Sequence, residues 1–486
     1  MSLLQADTKS AVATGHGDAA EIRELHAALQ AQRLAFAADR QPSLTARCER
    51  LRRISSMMTE YRERIYAALH ADFGAHPDAA AEVLEVHAVT ARVDYALSHL
   101  EQWMRPMPRQ VDSAYEGVLR AFIKSQPKGV VGNIVPWNFP FEIGIGPMVD
   151  MIAAGNRVML KPSEFTPACA ALMREMVASA FPSDLVYVAV GGLELARAFS
   201  ALPLDHLLYT GSSNVGRLIM QAAAQNLTPV TLELGGKCPA VLLAGSVTAD
   251  TVGNILGVKM IKNGQMCVTV DHCFVPRAEL DTFAAIATGF MEQAAPEYAR
   301  SAACTGIISE RHLNRLGAML AEAEACGIRI VTLEKDSHAD AETRRMPISL
   351  ALDPAPDLRM MQEEIFGPIL PLIPYDTVEE VIERINQGDQ PLGVYVFGDD
   401  VSTINRIFEE TSSGGGAVNA CAIQAGLKSL AFGGVGMSGM GRHHGEDGFR
   451  EFSNQRGIVV RGEGPQFDAF VSPPNAAKLI GQVPSG

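Results

Sequence analysis

Short apolar runs alternate with helical stretches through the middle of the chain, and this alternation limits the possible folds more than any other feature. The first set of runs spans residues 129–135, 157–160, 185–190, 206–209 and 230–234. Helical patterns lie between them, near Met148, Leu172, Leu195 and Ile219. This rhythm is typical of parallel strands joined by covering helices. We therefore predict a nucleotide-type α/β domain over about residues 110–234.

The same rhythm restarts after Gly235, with apolar runs at 240–243, 274–276, 328–333 and 369–373. A chain of 486 residues also exceeds what one hydrophobic core usually supports. We predict an α/β protein with two doubly wound parallel-sheet domains. Residues 21–104 have apolar positions at helical spacing and predict two or three amphipathic helices.

These patterns divide the chain into five segments. They are a mobile tail (1–20), a first domain (21–234, with bridging strands at about 110–125), a second domain (235–430), a return segment ending in a strand (431–461) and a C-terminal tail (462–486).

Charge and hydropathy exclude two classes of partner. The formal net charge is −14, which would repel a phosphate backbone, so we expect no nucleic-acid partner. No apolar run approaches the roughly 18 residues needed to cross a bilayer, because Glu142 and Asp150 interrupt the longest candidate. The first twenty residues also lack the pattern of a signal peptide. We expect a cytoplasmic protein without a membrane partner.

Cys267 is one candidate nucleophile. The eight cysteines contain no CxxC pair and no disulfide framework, and most of them, Cys273 included, are expected to fill the core. Cys267 differs because it follows a glycine turn in the segment Asn263-Gly264-Gln265-Met266-Cys267. The alternative is a buried structural thiol, since a cysteine needs a base elsewhere in the chain to act as a nucleophile.

Glu233 and Asn138 are the further candidates for chemistry. Glu233 closes an apolar run just before two glycines, so it is either a structural ion-pair partner or a general base with a raised pKa. Asn138 lies between Pro136 and Pro140, which stiffen the backbone and suit an oxyanion donor. The alternative for Asn138 is a rigid turn in which its amide satisfies its own backbone.

Six motifs in family order resemble the aldehyde dehydrogenase superfamily, and the likeness covers about residues 45–461. The motifs are PWNFP at 136–140, KPSE at 161–164, TGSSNVG at 210–216, LELGGK at 232–237, GQMC at 264–267 and EEIFGP at 363–368. The resemblance implies a Rossmann-like NAD-binding domain, a catalytic domain and a small β oligomerisation arm.

The resemblance also implies roles for individual residues. Cys267 would be the nucleophile, Glu233 the base that activates water, and Asn138 an oxyanion donor together with the Cys267 backbone N–H. Lys161 and Glu364 would hold the two riboses of the dinucleotide, and Phe366 would pack near the nicotinamide. The other residues assigned to the cofactor are Pro136, Trp137, Ser163, Glu164, Gly211, Ser212, Val215, Gly216, Leu234 and Gly235. Glu164 would lie near the adenosine ribose, so we expect NAD, with NADP possible.

Two further patterns predict no site. The phosphate-binding element is GxxxxG, from Gly211 to Gly216, whereas a literal GxGxxG occurs only at Gly434, Gly436 and Gly439. No strand precedes the latter, and we interpret it as a packing loop. His443 and His444 lack a carboxylate or cysteine at ligand spacing, so we expect a hydrogen-bonded surface or interface pair and no metal.

Within the superfamily the sequence is most similar to the class 3 branch, which includes coniferyl-aldehyde and fatty-aldehyde dehydrogenases. The branch implies a homodimer in which the strands near residues 118–125 and after Phe449 pair across subunits. The substrate would be a small aldehyde, either an aromatic enal such as coniferyl aldehyde or a medium-chain or fatty aldehyde. The positions that depart from the branch are Met266, Val268, Thr269, Val270, Gln424 and Ala431.

Two other functions are compatible with parts of the pattern. An acylating dehydrogenase, which passes the acyl group to CoA or phosphate, does not need a water-activating base at Glu233. A catalytically silent protein would have lost one of Cys267, Glu233 or Asn138, and all three are present.

Overall fold

The computed structural model describes residues 15–113, 119–334 and 337–462. Within these ranges the strands are β1 (Met107–Arg109), β2 (Leu119–Pro127), β3 (Val130–Ile134), β4 (Arg157–Lys161), β5 (Val186–Val188), β6 (His206–Gly211), β7 (Val230–Leu234), β8 (Pro239–Leu242), β9 (His272–Pro276), β10 (Arg329–Thr332), β11 (Ser349–Leu352), β12 (Ile369–Tyr375), β13 (Gly393–Phe397), β14 (Gly415–Val418), β15 (Gly439–Met440) and β16 (Ser453–Arg461).

The α-helices of the same ranges are α1 (Gly15–Ala38), α2 (Leu44–Glu60), α3 (Arg62–Phe73), α4 (Asp78–Ala81), α5 (Ala88–Trp103), α6 (Pro140–Ala154), α7 (Pro167–Ala180), α8 (Leu193–Ser200), α9 (Ser213–Ala224), α10 (Ala249–Met260), α11 (Leu280–Ala294), α12 (Glu310–Ala325), α13 (Arg359–Gln362), α14 (Val378–Gln387), α15 (Val401–Glu410) and α16 (Gly445–Glu451). A π-helical turn, Glu82–His87, joins α4 to α5. None of the helices described is both long and apolar enough to cross a bilayer.

The first sheet has the strand order β5-β4-β3-β6-β7, all parallel, and β15 adds to β7 in the antiparallel direction. Helices α6 and α7 pack on one face, and α1, α8 and α9 pack on the other. Because both faces are covered, strands such as β4 are buried along their whole length, as their apolar sequences require. The predicted doubly wound sheet is confirmed, and β7 has the predicted bounds.

The second sheet contains seven strands in the order β10-β11-β12-β9-β8-β13-β14, and only β10 is antiparallel to its neighbour. All of them lie within residues 235–430, as predicted for the second unit. Strands β11, β13 and β14 were not predicted. In β14 two glycines hide the apolar pattern. The domain limits themselves stay a prediction.

The N-terminal region is more ordered than the sequence suggests. Helix α1 begins at Gly15, inside the segment expected to be a tail, while residues 1–14 lie outside the described residues. Its first turn is tied to the first sheet, because Asp18 accepts a 3.0 Å hydrogen bond from the backbone N–H of Gly192. The region also contains more helices than the two or three predicted.

The third sheet is an antiparallel arm of the order β1-β2-β16. Strands β2 and β16 pair from Pro127↔Ser453 to Leu119↔Arg461. The two segments pair with each other within one chain, and their pairing across subunits stays a prediction. The predicted C-terminal tail lies outside the described residues, except for Gly462.

Candidate active site

A cavity of about 250 Å³ opens where β3, β6 and β7 end, facing the loop that follows α10. The ends of parallel strands are the usual binding position in such sheets. The residues that line it are Pro136, Trp137, Asn138, Thr210, Gly211, Ser212, Glu233, Leu234, Gly235, Cys267, His312, Arg315, Glu364 and Phe366. The cavity thus brings together the three candidates for chemistry and most of the candidates for the cofactor.

Cys267 is presented by a rigid loop. Lys262 and Asn263 have φ of 51° and 53°, and a side chain at Gly264 would meet the carbonyl oxygen of Gly367 at 2.3 Å. Gln265 then fixes the loop, because its amide donates to the Lys262 carbonyl at 2.8 Å and accepts from the Ile308 N–H at 2.9 Å. The loop therefore holds the nucleophile position in one conformation.

The thiol of Cys267 is protonated in this environment. Burial raises its pKa to about 12, and the nearby carboxyl groups of Glu364 and Glu233 act in the same direction. A thiol with such a pKa needs a proton acceptor before it can attack.

Asn138 lies beside the same loop. Its side-chain Nδ2 donates to the carbonyl oxygen of Gln265 at 3.2 Å, and the residue is buried. This bond uses one of the two amide hydrogens and orients the other. The bond goes to the nucleophile loop and not to the Asn138 backbone, which favours the oxyanion donor over the rigid-turn alternative.

Glu233 is the penultimate residue of β7, which lies between β6 and β15, and it pairs with Thr210 and Gly439. The side chain is buried, and neither carboxylate oxygen has a hydrogen-bond partner among the described residues. Burial raises its pKa well above the ordinary value for glutamate. A buried carboxyl group with a raised pKa and no partner is poorly suited to a structural ion pair and better suited to holding and releasing a proton.

The turn from β6 to α9 has the form of a phosphate cradle. Ser212 caps the helix, and its hydroxyl accepts from the Val215 N–H at 3.4 Å. A side chain at Gly211 would meet the Tyr209 hydroxyl at 2.2 Å, and one at Gly216 would meet Leu234 at 2.9 Å. Backbone N–H groups at a helix N-terminus suit an anionic ligand.

Two charged residues flank this cradle. Lys161 is buried at the end of β4, and its ammonium lies 3.2 Å from the half-exposed carboxylate of Glu164. Glu364 is on the opposite side, where it accepts from the Gly236 N–H at 3.1 Å. Burial raises the pKa of Glu364 to about 7.

The other residues predicted to bind the cofactor lie in the cavity or outside its lining. Phe366 packs edge-on against Trp137 at 5.3 Å between ring centroids. Ser163 accepts from the Phe165 N–H at 3.2 Å, next to the cradle and outside the cavity lining. The predicted residues that do not line the cavity are Lys161, Ser163, Glu164, Val215 and Gly216.

Three lining residues were not predicted: Thr210, His312 and Arg315. Thr210 stands in a quoted motif. His312 and Arg315 lie three apart on α12 and face the cavity together, and Arg315 donates to the Glu364 carbonyl at 3.2 Å. No motif marks them, because their position depends on how α12 packs across the loop that carries Glu364.

The structure tests the predictions for the GxGxxG glycines and for the His443–His444 pair. A side chain at Gly439 would meet the Leu232 carbonyl of β7 at 2.1 Å, so this glycine serves close backbone packing, as predicted. His443 and His444 are both buried, so the prediction of a surface or interface pair is wrong. Within the described residues no cluster of three or more His, Cys, Asp or Glu side chains is arranged to hold a metal ion.

Comparison with known proteins identifies the class. Residues 5–458 match the aldehyde dehydrogenase family, and the chain belongs to this family. It is accordingly an oxidoreductase that acts on aldehydes.

The similar proteins narrow the branch. The chain is 38% identical to a "probable coniferyl aldehyde dehydrogenase" of Caulobacter vibrioides, over 88% of this chain and 90% of that one. It is 36% identical to a coniferyl aldehyde dehydrogenase of a Pseudomonas species (90% and 91% covered). It is 33% identical to aldehyde dehydrogenase family 3 member A2 of Rattus norvegicus (93% and 92% covered). The predicted class 3 resemblance is confirmed.

Solved structures agree with the fold. Substrate-bound AldH of Staphylococcus aureus superposes with a TM-score of 0.85 at 29% identity, over 94% of this chain and 99% of that one. An aldehyde dehydrogenase of Mycobacterium tuberculosis, in complex with NAD⁺, gives a TM-score of 0.79 at 28% identity, with 90% of each chain covered.

Proposed function

We propose that this protein oxidises an aldehyde to a carboxylic acid through a thioester on Cys267, which water activated by Glu233 then hydrolyses. One observation carries the proposal: a cysteine on a rigid loop, a buried unpaired carboxyl and an oriented amide line the same cavity. These are the nucleophile, base and oxyanion donor that the reaction needs.

In the first half of the reaction the Cys267 thiol gives its proton to water in the cavity, and the sulfur bonds to the aldehyde carbon. The oxyanion that forms accepts hydrogen bonds from the Asn138 amide and the Cys267 backbone N–H. A bound nicotinamide supplies an acceptor for the hydride that leaves this carbon. The oxyanion then re-forms a carbonyl group, and Cys267 carries a thioester.

In the second half Glu233 takes a proton from water as the water oxygen bonds to the thioester carbon. The carbon–sulfur bond breaks, the acid leaves, and Cys267 regains a proton. Because Glu233 is buried, its carboxylate is poorly solvated and is a stronger base than an exposed glutamate.

The cofactor is proposed to be NAD, although NADP is possible. The lining fits this group, since Gly211, Ser212 and Gly235 line the cavity and Ser212 is the N-cap of α9, whose N-terminus suits an anionic ligand. Lys161 and Glu364 would hold the riboses, and the Phe366–Trp137 pair would face the nicotinamide. The NAD⁺ complex of the Mycobacterium tuberculosis enzyme supports the assignment.

The substrate is proposed to be an aromatic enal such as coniferyl aldehyde, on the strength of the relatives that carry this name. Medium-chain and fatty aldehydes are the alternative. The departures beside the nucleophile are buried, and Gln424 donates to the Tyr395 hydroxyl at 3.1 Å, which donates to the Val268 carbonyl at 2.7 Å. A departure at Gln424 is thus connected to the nucleophile loop.

Rapid mixing with NAD and aldehyde, with NADH absorbance as readout, tests the proposal. Cys267→Ser should abolish NADH formation. Glu233→Gln should release one equivalent of NADH per subunit and then turn over about 10² to 10⁴ times more slowly. Cys326→Ser changes an exposed thiol outside the cavity and serves as the matched control. Unchanged steady-state turnover in Glu233→Gln would show that another group activates water.

A product assay and a substrate panel separate the alternatives. Chromatography should find the free acid as product, with no stimulation by CoA or phosphate, which distinguishes hydrolysis from acyl transfer. A panel of aldehydes ranked by kcat/KM should place coniferyl aldehyde above hexanal and decanal. The opposite ranking would favour the fatty-aldehyde alternative and leave the mechanism intact.

A further inference from the structure

A buried polar cluster adjoins Glu233. The nearest ring is that of His443, whose Nε2 is 3.8 Å from Glu233 Oε1. The ring of His443 meets that of His444 edge-on at 4.6 Å between centroids, and His444 Nε2 contacts the guanidinium of Arg92. None of these three residues lines the cavity that contains Cys267.

The polar atoms of the cluster are incompletely paired. His443 and Glu233 are 5% and 2% exposed. His443 Nδ1 and both oxygens of Glu233 have no hydrogen-bond partner among the described residues. The unpaired His443 atom is on the other edge of the ring from Nε2, the atom nearest Glu233. Because buried polar groups are nearly always paired, an unpaired carboxyl group beside an imidazole points to an interaction used during the reaction.

The backbone holds His443 in place independently of its ring. Its N–H donates to the Phe432 carbonyl and its carbonyl accepts from the Phe432 N–H, both at 2.8 Å. The Phe432 ring packs edge-on against it at 5.5 Å. The ring can therefore be changed with the backbone contacts retained.

His444 is not an equivalent candidate. Its Nε2 is engaged by Arg92, which also lies 2.9 Å from Glu142, and its backbone N–H donates to Asp150 at 3.2 Å. It helps to place Arg92 and His443, but it does not face Glu233.

We propose that His443 is the proton partner of Glu233: its Nε2 takes the proton from the Glu233 carboxyl group and leaves the carboxylate that activates water. The O–H bond of the glutamic acid breaks and an N–H bond forms on the imidazole, so no charge is created in the pair as a whole. The 3.8 Å separation closes to a hydrogen bond of about 2.8 Å by a small rotation of the carboxyl group. This proposal rests on the proposed role of Glu233.

Proton transfer between the two residues explains how a base can work in a site where burial disfavours the charged form of both Glu233 and His443. Burial raises the pKa of Glu233 and lowers the pKa of His443, so both groups are neutral when they act separately. A neutral glutamic acid cannot activate water. An imidazolium next to the carboxylate stabilises the charged form of each, because opposite charges attract strongly where water is excluded. The proton leaves to water when the products depart and the cavity refills.

The other charged and titratable groups around this pair come from several elements. Around Glu233 and His443 they are Arg92 (α5), Glu142 and Asp150 (α6), Cys267, Lys428, Arg442, His444 and Glu451 (α16). Arg442 favours a negative charge on Glu233, Glu451 opposes it, and Arg92 favours it more weakly. Arg92 also opposes a positive charge on His443.

The pH dependence of steady-state kcat tests the proposal, because a purely structural role would lower kcat by one factor at every pH. With His443 present, a single proton shared by the pair leaves some Glu233 ionised, so kcat should be nearly level from pH 6 to pH 9. In His443→Gln, Glu233 must lose its proton to water. In this variant the pH below which kcat falls should rise by at least one unit. Its kcat should be at least tenfold lower than that of the wild type at pH 7 and should recover toward the wild-type value at pH 9.5.

The controls separate this proposal from the proposed function. His206 is another buried histidine, and its Nε2 lies 3.9 Å from an oxygen of Glu451. Neither residue lines the cavity, so His206→Gln should keep the wild-type pH dependence of kcat. The NADH burst of His443→Gln should be retained, since thioester formation precedes the step that is changed. His443→Asn provides a second, smaller replacement if His443→Gln does not fold.

The outcomes are distinct. If Glu233→Gln loses turnover but His443→Gln and His443→Asn keep the wild-type profile, or lose activity equally at every pH, His443 is not the proton partner. If Glu233→Gln itself turns over normally, the proposed function fails first.

Discussion

The ammonium of Lys262 lies 2.8 Å from the carboxylate of Glu85, and both side chains are completely buried. Glu85 also accepts from the N–H groups of Phe141 and Glu142 at 3.0 and 2.9 Å, at the start of α6. The ion pair therefore joins the N-terminal helices to the two loops that present Asn138 and Cys267. Lys262 additionally lies 4.6 Å from the ring centre of Phe73.

The first prediction concerns this ion pair. Lys262→Met removes one charge and leaves Glu85 buried without its cation, which should lower the free energy of unfolding by about 3–5 kcal/mol. The double variant Lys262→Met with Glu85→Gln should recover part of this loss, since no unpaired charge remains. Urea unfolding followed by circular dichroism measures both. A loss below about 1 kcal/mol in Lys262→Met would show that the pair contributes little.

The second prediction concerns the Cys267 thiol in the absence of ligands. Because burial raises its pKa to about 12, the thiol is neutral throughout the range from pH 7 to pH 10. Its alkylation by iodoacetamide should therefore accelerate about tenfold per pH unit without levelling off, as the thiolate fraction does. The measurement is mass spectrometry of the Cys267 peptide, with exposed Cys326 as internal reference. A plateau below pH 8 would mean that the thiolate already forms in the empty cavity.

Particular residues show how far the sequence predicts this molecule. The strand Val230–Leu234 and the helix after Ser212 follow from local apolar spacing and a capping residue, which are encoded within a few positions. The burial of His443 was not predictable in this way. It depends on Arg92 and Phe432, and Arg92 lies 352 positions from His444, whose ring it contacts.

In the cavity, too, some residues could be predicted from local motifs and others depend on contacts between distant parts of the chain. Cys267, Glu233 and Asn138 could be named because each stands in a motif, and the fold then brings them together from three separate loops and strand ends. His312 could not be named, because a helix surface gives no signal for the loop that it packs against. Its ring meets Trp137 edge-on at 5.4 Å, a contact between elements 175 positions apart in numbering.

The third prediction concerns cofactor choice. Glu164 is half-exposed beside the cradle, where a carboxylate would accept from ribose hydroxyls and repel the 2′-phosphate of NADP. NAD should give a higher kcat/KM than NADP. Glu164→Gln should lower the ratio of kcat/KM with NAD to kcat/KM with NADP by about tenfold. Glu194→Gln, an exposed carboxylate on α8 outside the cavity, is the control. Equal or better use of NADP by the wild type would contradict the role of Glu164.

The last prediction concerns assembly, which we expect to be dimeric. Among the described residues the arm has three strands, and β16 lies at its edge with nine residues. Such an edge presents unpaired backbone groups that invite a further strand or a second copy of the chain. Val459 on β16 is 63% exposed, so it is an apolar side chain available to a contact with another subunit.

Sedimentation velocity at micromolar concentration should show the wild type as a dimer. Val459→Asp should raise the dissociation constant at least tenfold, because a charge would have to be buried at the contact. Val401→Asp changes a valine of similar exposure, 66%, at the start of α15 and away from the arm, and it should stay dimeric. A monomeric wild type would rule out the dimer, and a dimeric Val459→Asp would place the contact on another surface.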